Sequence, residues 1–258
     1  MDTRHGDGSA GDANYDTIGR RYGAYRQPEP AIAAIVDAAL GTAVTVLNVG
    51  AGTGSYEPLD RRVTAVEPSA VMRAQRPGHL SRAIDAIAEK LPFADRRFDA
   101  AMATFTVHQW SNPIAGLEEM RRVTAGPVLI LTCDPDLVEA FWLHDYAPLV
   151  LSTEARRYPT LGVIADALGG QVEVIPVAIP FDCRDGFNEA YYGRPERLLE
   201  PGARTACSAW SFVDAATCER YVGHLRDDLA IGAWDRKYGH LRNQREFDGS
   251  LRLLVSRL

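Results

Sequence analysis

Lysine is almost missing from this chain: Lys90 and Lys237 are the only two, while arginine is plentiful. We read that bias as compositional rather than functional. Cysteine is sparse as well. Cys133, Cys183, Cys207 and Cys218 are scattered, with no CxxC pair, which argues against a zinc site or a disulfide framework and fits reduced thiols in a cytoplasmic setting. No apolar run approaches the roughly 18 residues of a membrane-spanning helix, so no membrane partner is expected. The opening MDTRHGDGSAGDAN lacks an apolar h-region. No secretion signal is expected there, and residues 1–14 read as a disordered lead-in. An excess of positive charge is lacking too. A net charge of −6 and a pI near 5.5 argue against nucleic acid gripped through its phosphates. A small-molecule ligand is the class that remains, and the sequence assigns no oligomeric state.

What is present is a regular alternation. The segment EPAIAAIVDAAL has helical spacing and stops at Gly41. AVTVLNV and RVTAV read as buried strands, with Ser69 placed to cap a helix over AVMRAQ. LSRAI is a weak third strand and RFDAAMATF a fourth. Asn112-Pro113 begins a helix running to Val123, and GPVLILTC is a fifth strand. Strands alternating with helices predict an α/β fold, a doubly wound Rossmann-like parallel sheet covered on both faces. Past Cys133 the pattern becomes helical in LVEAFWLHDYAPLV and TLGVIADALGG. It returns to a strand at QVEVIPVAI, passes through a long mixed stretch containing DAATCERYVGHLRDDLA, and ends in the strand SLRLLVSRL. No composition break marks a second domain. The expected division is one domain over 15–258, with a core at 28–135 and helical additions at about 136–170 and 180–248 that line a substrate pocket.

The stretch VLNVGAGTGSYEPLDRRVTAVEP carries the chemistry. Its glycines, Gly50, Gly52 and Gly54, follow a GxGxG spacing. The dinucleotide fingerprint GxGxxG would need a glycine at Ser55, and no GxxxxGK[ST] phosphate loop exists. The loop therefore suits an adenosine whose tail has no phosphate. Glu67, closing the second strand, is placed to accept from both ribose hydroxyls, as it would be in a dehydrogenase. Only eight residues separate Gly54 from Val63, although a parallel crossover normally takes a dozen or more. This predicts a first helix of one or two turns and a flank beside it that is more open or is covered by another segment, for which YDTIGRRYGAYR is the candidate.

Taken in order, VLNVGAGTG, VTAVEPS, AIAEKLPFADRRFDAAMATFTVHQW and GLEEMRRVTAGPVLILT resemble class I S-adenosylmethionine (SAM)-dependent methyltransferases of the type 11 group, over roughly Val44 to Thr132. Beyond Cys133 the chain is more loosely similar to an actinobacterial methyltransferase-like subgroup. The resemblance implies a seven-stranded sheet with an antiparallel last strand. It also implies that Gly50, Ala51, Gly52, Thr53 and Gly54 pass under the methionine and ribose of SAM. Glu67 and Pro68 would take the ribose, Ile87 and Ala88 would flank the adenine, and Thr104 to Trp110 would face the methyl group, with Thr104 and Phe105 also contacting the cofactor. Two positions depart from the family pattern: Asn48 and Ile87 stand where relatives commonly carry aspartate. In YDTIGRRYGAYR, the residues Tyr15, Tyr22 and Arg26 resemble an N-terminal helical lid, with aromatic faces for a sulfonium and an arginine for the methionine carboxylate. Packing of an amphipathic helix is the competing reading of the tyrosines.

His108, just past the fourth strand, is the candidate general base; the alternative is a structural histidine. Phe141, Trp142, His144, Tyr146, Tyr191, Tyr192 and Trp210 are candidates for an apolar pocket wall as a group and for core individually. No metal site is expected, since nothing completes one around His224, Asp227 and Asp228. The expected function is a small-molecule-metabolism methyltransferase using SAM on a small apolar or aromatic acceptor, with O-methylation favoured. The alternative is a same-fold SAM-binding cyclase or pathway partner that transfers no methyl.

Overall fold

The computed structural model describes residues 22–258 and the side chains from Gly23 onward. The expectations for the 1–14 lead-in, for Tyr15 and for the Tyr22 ring lie outside the described residues. After a single helical turn at Tyr22–Tyr25, helix α1 (Pro30–Leu40) buries Ile32, Val36 and Leu40, one stripe at four-residue steps. Glu29 caps it by accepting from the Ala31 amide at 3.3 Å, and Gly41 ends it in a left-handed turn at φ 60°. Then come β1 (Thr45–Val49), β2 (Arg62–Val66), α2 (Ala70–Ala74), β3 (Ala100–Thr104), α3 (Pro113–Val123) and β4 (Val128–Cys133). The predicted caps form: Ser69 accepts from the Met72 amide and Asn112 from that of Ala115. The remainder holds α4 (Pro148–Arg157), α5 (Leu161–Leu168), β5 (Gln171–Pro176), β6 (Ile179–Pro180), α6 (Ala215–Ala230), α7 (Ala233–Tyr238), β7 (Glu246–Phe247) and β8 (Leu251–Arg257).

The central sheet runs β2-β1-β3-β4-β8-β5; β6 and β7 form a separate ribbon. The β2–β1, β1–β3 and β3–β4 pairs are parallel, and β8 is antiparallel to both its neighbours. Strand order therefore reverses between β1 and β3, opening a crevice at their carboxyl ends. Successive residues serve opposite faces. Val46, Met102, Leu129 and Leu253 join one apolar cluster with α1, and Leu47, Ala101, Ile130 and Leu254 join another with α3 and α5. The first cluster runs on without a break into Phe141, Trp142, Tyr191, Tyr192, Trp210 and Trp234 of the additions. These aromatics, with Tyr146, are core. His144 is half-buried.

Three expectations are corrected. The sheet has six strands, not seven, because LSRAI contributes only the parallel bridge Ile84–Val66, through Ile84 N to Ala65 O (2.8 Å) and Glu67 N to Ile84 O (3.0 Å). The polar residues before Ile84 offer nothing to extend the ladder. The crossover from β1 to β2 holds no helix at all. Positive φ recurs at alternate residues, Gly50, Gly52, Gly54 and Tyr56, and an α-helix needs an unbroken run in the right-handed region. Finally, LVEAFWLHDYAPLV is broken into short turns before α4 begins. Phe141, Trp142 and Leu143 are all buried, and three consecutive residues on a helix cannot share one face.

Candidate active site

The glycine loop is shaped by close approach. Gly50 sits at φ 67°, and a Cβ there would lie 2.0 Å from Thr106 Oγ1, so the β1 and β3 ends meet at a distance only glycine allows. Ala51 N donates to Val66 O at 2.9 Å, tying the loop to the end of β2. Behind the loop lies a buried pair that the sequence does not announce: Arg76 Nη2 reaches both Glu57 oxygens at 2.9 Å, and both side chains are nearly solvent-free. Glu57 also accepts from Asn48 Nδ2 at 3.0 Å, while Asn48 Oδ1 is buried without a partner.

Glu67 lies where the strand pattern places it, at the crevice. Its Oε2 accepts from the Gly52 amide and its Oε1 from that of Ser69, both at 2.8 Å. A carboxylate has about four acceptor sites, so these two bonds fix its orientation and leave capacity for a further donor. Burial, only partly offset by those two amides, raises its pKa above the usual glutamate value. Gly52, Thr53 and Gly54 are part-exposed and Pro68 is exposed beside them. The Ile84 bridge brings the following residues to the same edge. Ile87 is half-exposed there, whereas Ala88 is buried under Gly116 and Trp110. A buried strand-end carboxylate, a glycine loop and an apolar lip thus share one edge, and this donor set fits SAM.

At the end of β3 the construction changes. Thr104 and Phe105 are part-exposed. Phe105 adopts φ 53°, and Tyr56, across the crevice, adopts φ 64°; bulky residues rarely accept this left-handed conformation, and the surroundings must hold them in it. The two rings stand 6.3 Å apart. Phe105 packs on Phe187 at 5.2 Å and lies under the Arg26 guanidinium at 5.1 Å. Arg26 pairs with buried Asp185, which also accepts from Tyr56 Oη at 2.7 Å. Arg26, expected as a lid residue, is thus 10% exposed in its side chain and bound into this cluster.

Beyond Phe105 lies an enclosed cavity of ≈ 30 Å³, lined by Arg26, Phe105, His108, Glu154, Tyr158 and Phe187 together with the backbone turn 206–209. His108 stands on a short turn, Val107–Gln109, directly after β3. Its ring packs on Tyr158 at 4.5 Å, and its Nδ1 is buried with no hydrogen-bond partner. Burial above all, then the Arg157 and Arg26 charges, holds its pKa well below the ordinary imidazole value, so the ring is neutral. On the other flank, where a crossover helix would pack, an open groove of ≈ 640 Å³ remains. Ala33 and Leu40 of α1, Tyr56, Pro58 and Leu80 are among its walls. The groove lies on the flank of the short connection, with Arg26 and Gln27 also among its walls; most of the N-terminal segment expected as a cover lies outside the described residues.

The residues that sequence reasoning missed are Tyr56, Asp185, Glu154 and Phe187. Tyr56 and Asp185 stand 129 positions apart, and no local pattern signals such a meeting. Glu154 offered a faint signal, a carboxylate on the apolar side of a helix between Thr153 and Ala155. Among the described residues, no group of three or more His, Cys, Asp or Glu side chains could hold a metal, and no helix is long and apolar enough to cross a membrane.

A profile described as a methyltransferase domain matches residues 47–128, from β1 to the start of β4. The chain is 31% identical to a demethylmenaquinone methyltransferase of Porphyromonas gingivalis, over 57% of this chain and 69% of that protein. Its fold superposes with a TM-score of 0.84 on a protein of Anabaena variabilis described as a methyltransferase of an antibiotic biosynthesis pathway, at 29% identity, covering 91% of this chain and all of the other. A SAM-dependent methyltransferase of Thermotoga maritima shares the fold at a TM-score of 0.55 and 15% identity, over 94% and 95% of the two chains. Glycine cradle, strand-end carboxylate, sheet order and sequence likeness agree: the chain belongs to the class I SAM-dependent methyltransferases.

Proposed function

We propose that this enzyme methylates the hydroxyl of a small acceptor with an apolar or aromatic body, within one functional unit spanning residues 15–258. The carrying observation is His108, neutral, with an unpartnered Nδ1, beside a cavity walled by Phe105, Tyr158 and Phe187. When bound, SAM supplies a methyl group on a good leaving group. The glycines at 50, 52 and 54, with Glu67, would hold it, while Ile87 and Ala88 flank its base and Thr104 and Phe105 face its reactive end. The tyrosines of the N-terminal segment would close over it, while Arg26, held by Asp185, would bound the crevice beside Phe105. The protein then has two tasks, to orient the acceptor oxygen and to take its proton. His108 receives that proton. Because its pKa is depressed, it suits an acidic hydroxyl, a phenol or an enol, better than a plain alcohol. The related demethylmenaquinone methyltransferase acts, by its name, on demethylmenaquinone, which is compatible with an acceptor of apolar body.

A cavity of ≈ 30 Å³ holds about two waters, enough for a functional group and too small for a ring. The acceptor body therefore enters only when the roof formed by Phe187 and the 206–209 turn moves aside.

Calorimetric titration with SAM, S-adenosylhomocysteine and NAD tests the cofactor; binding of NAD alone would sink the reading. His108→Ala should lower turnover by about 10²-fold or more and leave SAM affinity unchanged. Turnover that persists across pH in that variant would make His108 structural. Product formed without S-adenosylhomocysteine release would indicate a cyclase-type reaction instead.

A further inference from the structure

We propose that Glu154 is the acceptor-anchoring residue: its carboxyl, held beside His108 by Asn188, hydrogen-bonds the acceptor hydroxyl and tunes the cavity for a neutral acceptor. This rests on the reading of the cavity as the acceptor chamber.

Glu154 lies in the last turn of α4 and faces the same enclosed space as His108. The residue as a whole is part-buried, but its carboxyl end is drawn inward, where Asn188 Nδ2 donates to Oε2 at 2.6 Å. Asn188 is itself fixed, since its Oδ1 accepts from Trp210 Nε1 at 3.0 Å and its side chain is buried. Trp210 thereby aims the Asn188 amide as a donor, and Asn188 aims the carboxylate. A chain of fixed partners around a carboxyl group is how proteins preorganise a polar contact. Burial raises the Glu154 pKa, against the lowering effects of Asn188, Arg157 and Arg26. The result is a poorly solvated acceptor lining the same cavity as His108, whose Nδ1 is a second poorly solvated acceptor.

Among the described residues the local charges balance: Glu154 and Asp185 carry negative charge, and Arg157 and Arg26 carry positive charge. Arg26 pairs with Asp185, and Arg157 donates to Ser208 Oγ at 2.8 Å and Gln109 Oε1 at 2.6 Å. With His108 neutral, the space offers no net charge to repay the desolvation of an ammonium or a carboxylate. A hydroxyl costs far less to bring in; its single proton is donated to Glu154 in the resting complex and turns to His108 when the proton leaves. Glutamate would thus discriminate among acceptors, and histidine would act on the one selected.

The test uses the full chain saturated with S-adenosylhomocysteine and three probes of one shape: 2-naphthol, 2-naphthoate and 2-naphthylmethylammonium, titrated by calorimetry. The wild type should bind naphthol in preference to both ions. Glu154→Gln should weaken naphthol about tenfold and strengthen naphthoate, because one negative charge has left the cavity, with S-adenosylhomocysteine affinity unchanged. Glu154→Asp keeps the charge but withdraws it by one methylene, so naphthol should weaken without any gain for naphthoate. It carries the test by itself should Glu154→Gln not fold. Equal naphthol affinity in wild type and variants overturns the proposal, as does a wild type that favours either ion. Failure of S-adenosylhomocysteine itself to bind would strike the cofactor reading instead, and the two outcomes are separable in one titration series.

Discussion

The two banks of the crevice are built in different ways. On the β1–β2 bank the geometry is made of backbone: glycines at positive φ, amides that grip Glu67, and a loop drawn against Thr106. On the bank past β3 it is made of side chains from distant segments, Arg26, His108, Glu154 and Phe187, packed around a small polar space. The first bank works with a fixed chemistry and tolerates no added atoms. The second depends on burial, and its groups owe their protonation states to what surrounds them. A cofactor site and an acceptor site need this division, because one ligand has a constant shape while the other sets specificity.

The largest expected effect breaks the backbone bank. Gly50→Ala places a methyl 2.0 Å from Thr106 Oγ1, at φ 67°. Overpacking and left-handed strain together cost about 3 kcal/mol, so SAM affinity should fall about 100-fold, with a lower melting temperature, as read by calorimetry and thermal unfolding. Shrinking Thr106 to glycine in the same chain should recover part of the loss, since only the backbone strain then remains. No recovery would mean that the β3 contact does not shape the loop.

An intermediate effect probes the side-chain bank through Glu189. Its two oxygens accept from Ser250 N (2.9 and 3.0 Å), and Oε2 also from Ser250 Oγ (2.9 Å), which ties the additions to the start of β8. Burial outweighs those bonds and pushes its pKa up to about 7. Between the unfolded value near 4.5 and that folded value, the native state keeps a proton that the unfolded chain has released. The stability from this linkage is complete below the unfolded value and is lost as pH rises through 7. Relative to Glu189→Gln, the wild type should therefore lose up to roughly 3 kcal/mol between pH 4.5 and pH 8, measured as urea midpoints across that range. His108 acts in the opposite sense, since its depressed pKa gives stability that is present above the usual imidazole value and lost below it. For that reason the comparison is made against the variant and not on the wild type alone. A pH-independent difference would remove the linkage.

The smallest effect belongs to neither bank. Asn112→Ala deletes the cap of α3, where Asn112 Oδ1 accepts from Ala115 N at 3.1 Å, and should cost about 1 kcal/mol in urea unfolding without changing SAM affinity. A loss of SAM affinity would show that α3 couples to the crevice through Gly116 and Ala88.

Legibility in the sequence follows the same division. Helix α1, α3 and the strands β1 to β4 could be read because periodicity and caps are local, and Ser69 and Asn112 formed the predicted bonds. LSRAI was overread, since a polar run around a single well-placed isoleucine supports one bridge and no ladder. The missing first helix was half legible: the short spacing signalled the shortage, but not that Tyr56 would join the glycines at positive φ. Asp185 was illegible and Glu154 only faintly legible, because their partners Tyr56 and Asn188 lie 129 and 34 positions away.

The sequence by itself determined the class of cofactor. The spacing of Gly50, Gly52 and Gly54 and the position of Glu67 at a strand end are consequences of backbone conformation, which neighbouring residues dictate. Only the tertiary structure decided the bank past β3. Whether His108 is neutral, whether Glu154 lines the same cavity, and how much room that cavity has depend on burial, and burial exists only after segments far apart in the chain have packed together.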